Sequence, residues 1–132
     1  MAELKLKELG KTLQARRRFE PVRVLSDINL HVRSGETLVI VGPSGAGKSM
    51  LLRMIAGLED VTEGSIEIDG VAINDLPPGE RGVSMVFQAH ALYPHMNVYD
   101  NMAFALSVAR KSRAVIDEEV RKAARLLELE PL

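Results

Sequence analysis

The chain has 132 residues, of which 46% are apolar and 27% charged, and a formal net charge of −1, which suits one ordinary globular domain rather than two. With 17 Lys and Arg against 18 Asp and Glu, there is no overall basic field to draw the chain onto nucleic acid or anionic lipid. Cysteine is absent, which excludes a disulfide framework and thiolate chemistry and suits a reducing compartment.

Met1 to Lys11 alternate charges with leucines and lack the unbroken apolar stretch of a signal peptide. Lys11, Arg16, Arg17, Arg18 and Arg23 then stand against Glu20 alone, a local basic patch that reads as a solvated loop. Ile28, Leu30 and Val32 alternate with Asn29, His31 and Arg33, the period of a half-buried strand. After a turn at Ser34-Gly35-Glu36 comes the longest purely apolar run, Leu38 to Val41. It is far short of the roughly 20 residues that cross a bilayer as a helix, and it reads as a strand covered on both faces of a parallel sheet. A glycine-rich loop follows, then a helix from Ser49 to Ala56, with Gly57 where a helix end favours a left-handed residue.

Ser65 to Asp69 alternates again, Asp69-Gly70 is a hairpin signal, and Val71 to Ile73 can return as the partner strand. Pro77-Pro78-Gly79 forces a loop, and Val83 to Phe87 supplies a further apolar strand that stops at Gln88. Asn97 is an N-cap with Asp100 three residues on, and Val98, Met102, Ala105 and Ala109 recur at helical spacing. A last helix runs from about Asp117 to Leu129, with Val120, Ala124 and Leu127 or Leu126 on one face. Asp117-Glu118-Glu119 opens it as favourable charge at a helix N-terminus. Strands mixed with helices make this an α/β chain.

The chemistry concentrates in Gly42-Pro43-Ser44-Gly45-Ala46-Gly47-Lys48-Ser49, which fits G-x-x-x-x-G-K-[ST] between a predicted strand and a predicted helix. Glycines at 42, 45 and 47 open backbone conformations that let consecutive N–H groups converge on phosphate oxygens. The following helix adds its positive end, Lys48 a point charge for the β- and γ-phosphates, and Ser49 a hydroxyl for Mg²⁺. The loop suits a nucleoside triphosphate and chooses no nucleobase. His31 sits on the polar side of a strand, while His90 and His95 share a loop with no cysteine near, so Mg²⁺ is the only metal expected.

Two stretches, GPSGAGKSMLLRMIAGLE from Gly42 and RGVSMVFQAHALYPHMNVYDNMAF from Arg81 to Phe104, resemble the ATP-binding subunit of ABC transporters, most closely the importers for sugars and glycerol phosphate. The resemblance covers the chain from about Phe19 onward and implies the P-loop NTPase fold of ABC-type ATPases, in its N-terminal portion. That portion is an antiparallel β subdomain with part of the parallel-sheet core over about residues 1–88. The Q loop and the start of the helical subdomain then occupy about 89–132.

Carried over position by position, the resemblance implies that residues 42–50, Gly42 through Met50, bind ATP and that Phe19 stacks on the adenine. It further implies that Gln88 is the Q-loop glutamine, contacting Mg²⁺ together with Ser49 and facing the attacking water. Leu92 to Asn101 matches the segment that receives the transmembrane permease, on the cytoplasmic face of the membrane, and the family works with a second ATPase subunit. Two departures stand out. Met50 replaces the usual Thr, a hydrogen bond worth roughly 0.5–1.5 kcal/mol. The LSGGQ motif, the Walker B strand with its catalytic Glu and the switch His do not occur in these residues. The chain is therefore expected to be an N-terminal piece of a transport ATPase that binds nucleotide without hydrolysing it alone. The alternatives are an inactive nucleotide- or permease-binding module and a remnant without function.

Overall fold

In the computed structural model, which describes residues 2–14, 20–88 and 92–130, the leucine-rich start of the chain is a strand, β1 (Leu4–Leu13). It lies inside an antiparallel sheet of order β2-β1-β3-β4, with β2 (Val22–Val32), β3 (Glu63–Ile68) and β4 (Val71–Ala72). Leu6 faces Leu30 on one side and Ile66 on the other. A register shift between Leu6 and Leu9, with Glu8 at φ 48°, then turns Leu9 inward as well. This bulge breaks the two-residue period, which is why alternation alone does not announce β1.

Helix α1 (Lys48–Ala56) closes one face of the sheet. Its Leu51 and Met54 join Leu6, Leu9, Leu25, Ile66 and Ile73 in one buried cluster, with Leu9, Met54 and Ile66 fully enclosed. Gly57, at φ 76°, ends the helix as expected, and the Gly57 and Leu58 N–H groups return to Met54 and Arg53 carbonyls. The hairpin forms at Asp69-Gly70, but its second strand is shorter than the pattern suggested. The Asn74 side chain accepts from the Ile66 N–H at 2.8 Å and takes the place of a further backbone rung.

Several expectations need correction. Leu38 to Val41 and Val83 to Phe87 form no ladder with any strand among the described residues. Val39 is 75% exposed, Val41 84% and Val86 96%, so neither the cover on both faces expected of Leu38 to Val41 nor the strand expected at Val83 to Phe87 is met within these elements. The basic patch is not a uniform solvated loop. Lys11 is buried in β1, its Nζ 2.7 Å from Glu59 and 2.6 Å from the Asp60 carbonyl, and Arg23 pairs with Glu63 at 2.5 Å. Arg16 to Arg18 lie outside the described residues.

The contacts divide the chain into Met1–Met85 and Val86–Leu132. The second unit holds α2 (Val98–Val108) and α3 (Arg113–Leu126). Asn97 caps α2 as read, accepting from the Asp100 N–H at 2.7 Å, though Ala103 is its buried residue and Ala105 is exposed. Helix α3 begins at a Ser112 cap, earlier than the pattern indicated, so Asp117 lies past its first turn and pairs with Arg121 at 2.8 Å instead of serving the helix N-terminus. Val120 is buried, whereas Leu126 and Leu127 are 79% and 63% exposed, off the packed face. Replacing the capping oxygen in Ser112→Ala is expected to cost about 0.5–2 kcal/mol, read as lost helical signal in the far ultraviolet on heating.

Candidate functional site

The glycine loop is an exposed strap between residue 41 and the first turn of α1. Its start curls on itself through an Ala46 N–H to Pro43 carbonyl bond of 3.3 Å. Gly47, the N-cap of α1, has φ 86° and offers no capping side chain, and the first turn holds no acidic residue. The first-turn N–H groups therefore face outward without an acid to compete for them, the arrangement in which a helix N-terminus receives an anion. Lys48 leans back over the loop, donating from Nζ to the Gly42 carbonyl at 2.9 Å and the Pro43 carbonyl at 2.7 Å. This holds a positive charge at the mouth of the strap.

Gly47 is required by contact as well as by dihedral. A Cβ there would come 2.7 Å from Leu25 Cδ2 and 3.4 Å from the Val24 carbonyl, so the loop rests directly on β2. Gly45 has a comparable φ of 82° and nothing within 4 Å. Gly47→Ala is expected to cost more stability than Gly45→Ala by about 1–3 kcal/mol, the usual penalty of overpacking. Parallel urea titrations of the two variants measure that difference.

Ser49 is exposed in the first turn of α1, where a hydroxyl can meet a cation beside the phosphates. Met50 is half-buried against the hydrophobic cluster of the sheet, a packing position that accounts for an apolar side chain. Gln88 is exposed in the second unit. Phe19 and His90 lie outside the described residues. His31 bonds the carboxylate of Glu3, and His95 stands edge-on to the Tyr93 ring at 6.0 Å.

The segment from Leu92 to Asn101 is ordered by its own last residue. Asn101 accepts from the Tyr93 N–H at 2.8 Å and donates to the carbonyls of Tyr93, Met96 and Asn97. Tyr93 also packs on Phe104 with ring centroids 4.6 Å apart. Leu92 nonetheless remains 69% exposed and Val98 46%, an apolar surface held in a fixed shape. Sequence reasoning missed two residues that touch α1. Leu25 gives no sign of its contact with a loop over 20 positions away, and Arg81 appears only as the first letter of a motif although its guanidinium is buried on the last carbonyls of the helix.

Comparison with known proteins adds identity to this geometry. A family model described as ABC transporter matches residues 25–132. The chain is 53% identical, over 99% of its own length, to the alpha-glucoside transport ATP-binding protein AglK of Rhizobium meliloti (strain 1021), and covers 34% of that protein. It is 49% identical over its whole length to the sn-glycerol-3-phosphate import ATP-binding protein UgpC of Cupriavidus pinatubonensis, again covering 34% of the relative. The chain thus spans about a third of the length of these relatives. Among solved structures, the ATP-binding cassette MJ0796 in a post-hydrolysis dimer bound to ADP and Pi superposes with a TM-score of 0.81 at 32% identity, over 96% of this chain and 58% of that one. With the strap, the helix behind it and the family match all in agreement, the chain belongs to the ABC transporter family, in the N-terminal portion of its ATPase fold.

Proposed function

We propose that the chain binds Mg-ATP on Gly42 to Met50 and serves as the nucleotide-binding part of an importer for a sugar or glycerol phosphate. The observation that carries this is the uncapped N-terminus of α1 under Lys48, in a chain whose relatives are named for alpha-glucoside transport and glycerol-3-phosphate import. Consecutive N–H groups and the helix end take the phosphate oxygens, and Lys48 exchanges its two loop carbonyls for the β- and γ-phosphates. The Ser49 hydroxyl would hold Mg²⁺, which would supply charge neutralisation for the phosphates, and Gln88 is the proposed Q-loop glutamine. Phe19 is the proposed purine platform. Hydrolysis in this family calls on LSGGQ, the Walker B acid and the switch His, none of which lies within these 132 residues, so binding is the function proposed for them.

The docking surface for the transmembrane permease is Leu92 to Asn101, which would hold the subunit peripherally on the cytoplasmic face of the membrane beside a second ATPase subunit. No helix among the described residues is long and apolar enough to cross a membrane. The exposed side chain of Leu92, on a segment pinned by Asn101, supports docking of an apolar partner helix. Equilibrium dialysis against Mg-ATP tests the first half, with saturable binding at one site per chain expected and the absence of saturation contradicting it. Co-purification with the permease tests the second. Retention that survives loss of nucleotide binding supports a surface independent of the loop, and no retention contradicts it.

A further inference from the structure

Arg81 is 7% exposed, and no carboxylate pairs with it among the described residues. Its guanidinium instead spends its donors on four backbone carbonyls. Nη1 reaches Met54 at 2.8 Å and Ile55 at 3.3 Å, Nη2 reaches Asn74 at 2.8 Å, and Nε reaches Leu76 at 2.7 Å. Met54 and Ile55 lie in the last turn of α1, the negative end of the helix dipole. Asn74 and Leu76 belong to the segment that leaves β4. A Cβ at Gly57 would fall 2.5 Å from Arg81 Nε, so the glycine that ends the helix also makes room for the fork. Lys11 adds a second buried cation next to this end, on Glu59 and the Asp60 carbonyl.

An apolar side chain of similar volume would fill this space without desolvating a charge, so burial alone does not explain an arginine. What the planar fork adds is direction, because several donors at fixed angles hold the helix end in one orientation relative to the sheet. Helix α1 has nine residues, about 13 Å of rigid rod, and its other end is the phosphate strap resting on Leu25. A rotation at the clamped end is carried to Lys48 and the first-turn N–H groups.

We propose that Arg81 is a positioning residue for the nucleotide loop, fixing the far end of α1 so that the first turn and Lys48 converge on the triphosphate. The proposal rests on the nucleotide reading given above. It is tested in the 132-residue chain with Arg81→Lys and Arg81→Met, and with Ile68→Ala as a control that truncates a β3 side chain outside α1 and the nucleotide loop. Two quantities are read at 10 °C: the dissociation constant for fluorescent mant-ATP with Mg²⁺, and amide exchange of residues 44–51 without nucleotide.

The expected result is about a tenfold weaker dissociation constant for Arg81→Met, partial rescue by Arg81→Lys, and faster exchange at 44–51 in both. Ile68→Ala is expected to leave the constant within twofold of the parent. Constants for both Arg81 variants within twofold of the parent, with exchange unchanged, would overturn the proposal while leaving the nucleotide reading intact. A parent chain that binds no mant-ATP contradicts the nucleotide reading instead, and the exchange measurement still judges the clamp. Should both variants fail to fold, the Arg81 Nε–H resonance of the parent decides. It is expected to shift on Mg-ATP addition with the same saturation as the loop amides, and an unmoved resonance overturns the proposal.

Discussion

Lys48→Ala is expected to weaken Mg-ATP binding by roughly 10- to 150-fold while leaving unfolding stability within about 0.5 kcal/mol of the parent. The first figure is the loss of hydrogen bonds to a charged group, about 1.5–3 kcal/mol, at 1.4 kcal/mol per tenfold. The second follows from what Lys48 does without ligand. Its ammonium bonds the carbonyls of Gly42 and Pro43, and both residues are exposed, so water can replace the amine at little cost. Mant-ATP titration paired with urea unfolding separates the two effects. A variant that binds as tightly as the parent, or that unfolds with its binding, would contradict this division between function and stability.

Met54→Ala is expected to act in the opposite way, on the fold first. Met54 is fully enclosed between α1 and the sheet, and truncating a buried methionine to alanine costs about 2–5 kcal/mol in transfer and cavity terms. That is a large share of the roughly 5–15 kcal/mol that holds a typical domain together. The urea midpoint is expected to fall by about 1–2 M with the slope unchanged. Because Met54 also offers its carbonyl to Arg81, a loosened helix end should weaken nucleotide binding among the molecules that stay folded. A midpoint within 0.2 M of the parent would show that α1 is not packed on the sheet as described.

The elements legible in the sequence are those whose signals are local. The strap was readable because glycine, lysine and serine at fixed spacing have few other uses, and Gly57 and Asn97 because caps act on their nearest neighbours. What stayed hidden depends on distant partners. β1 carries no clean strand period because the bulge at Glu8 breaks its alternation, and the start of α3 is masked because the acidic cluster at Asp117, beyond the Ser112 cap, itself resembles a helix start. Leu38 to Val41 reads as a covered strand, and Val83 to Phe87 as a further apolar strand, because an apolar run states a preference for burial. Whether backbone partners meet that preference is decided outside the run, and among the described residues none pairs with them. The site divides the same way. Lys48 and Ser49 announce themselves, whereas Leu25 and Arg81 matter through contacts that no spacing encodes.

The most direct test of the account is a thermal melt of the 132-residue chain with and without Mg-ATP. A folded binder with ligand at about 100 times its dissociation constant gains about 2.7 kcal/mol, which for a domain of this size raises the midpoint by roughly 10 °C. That rise is expected in the parent chain, falling to roughly 1–5 °C in Lys48→Ala at the same nucleotide concentration, because 10- to 150-fold weaker binding leaves a gain of only about 0.3–1.4 kcal/mol. A cooperative melt that Mg-ATP leaves unmoved would contradict nucleotide binding by the strap.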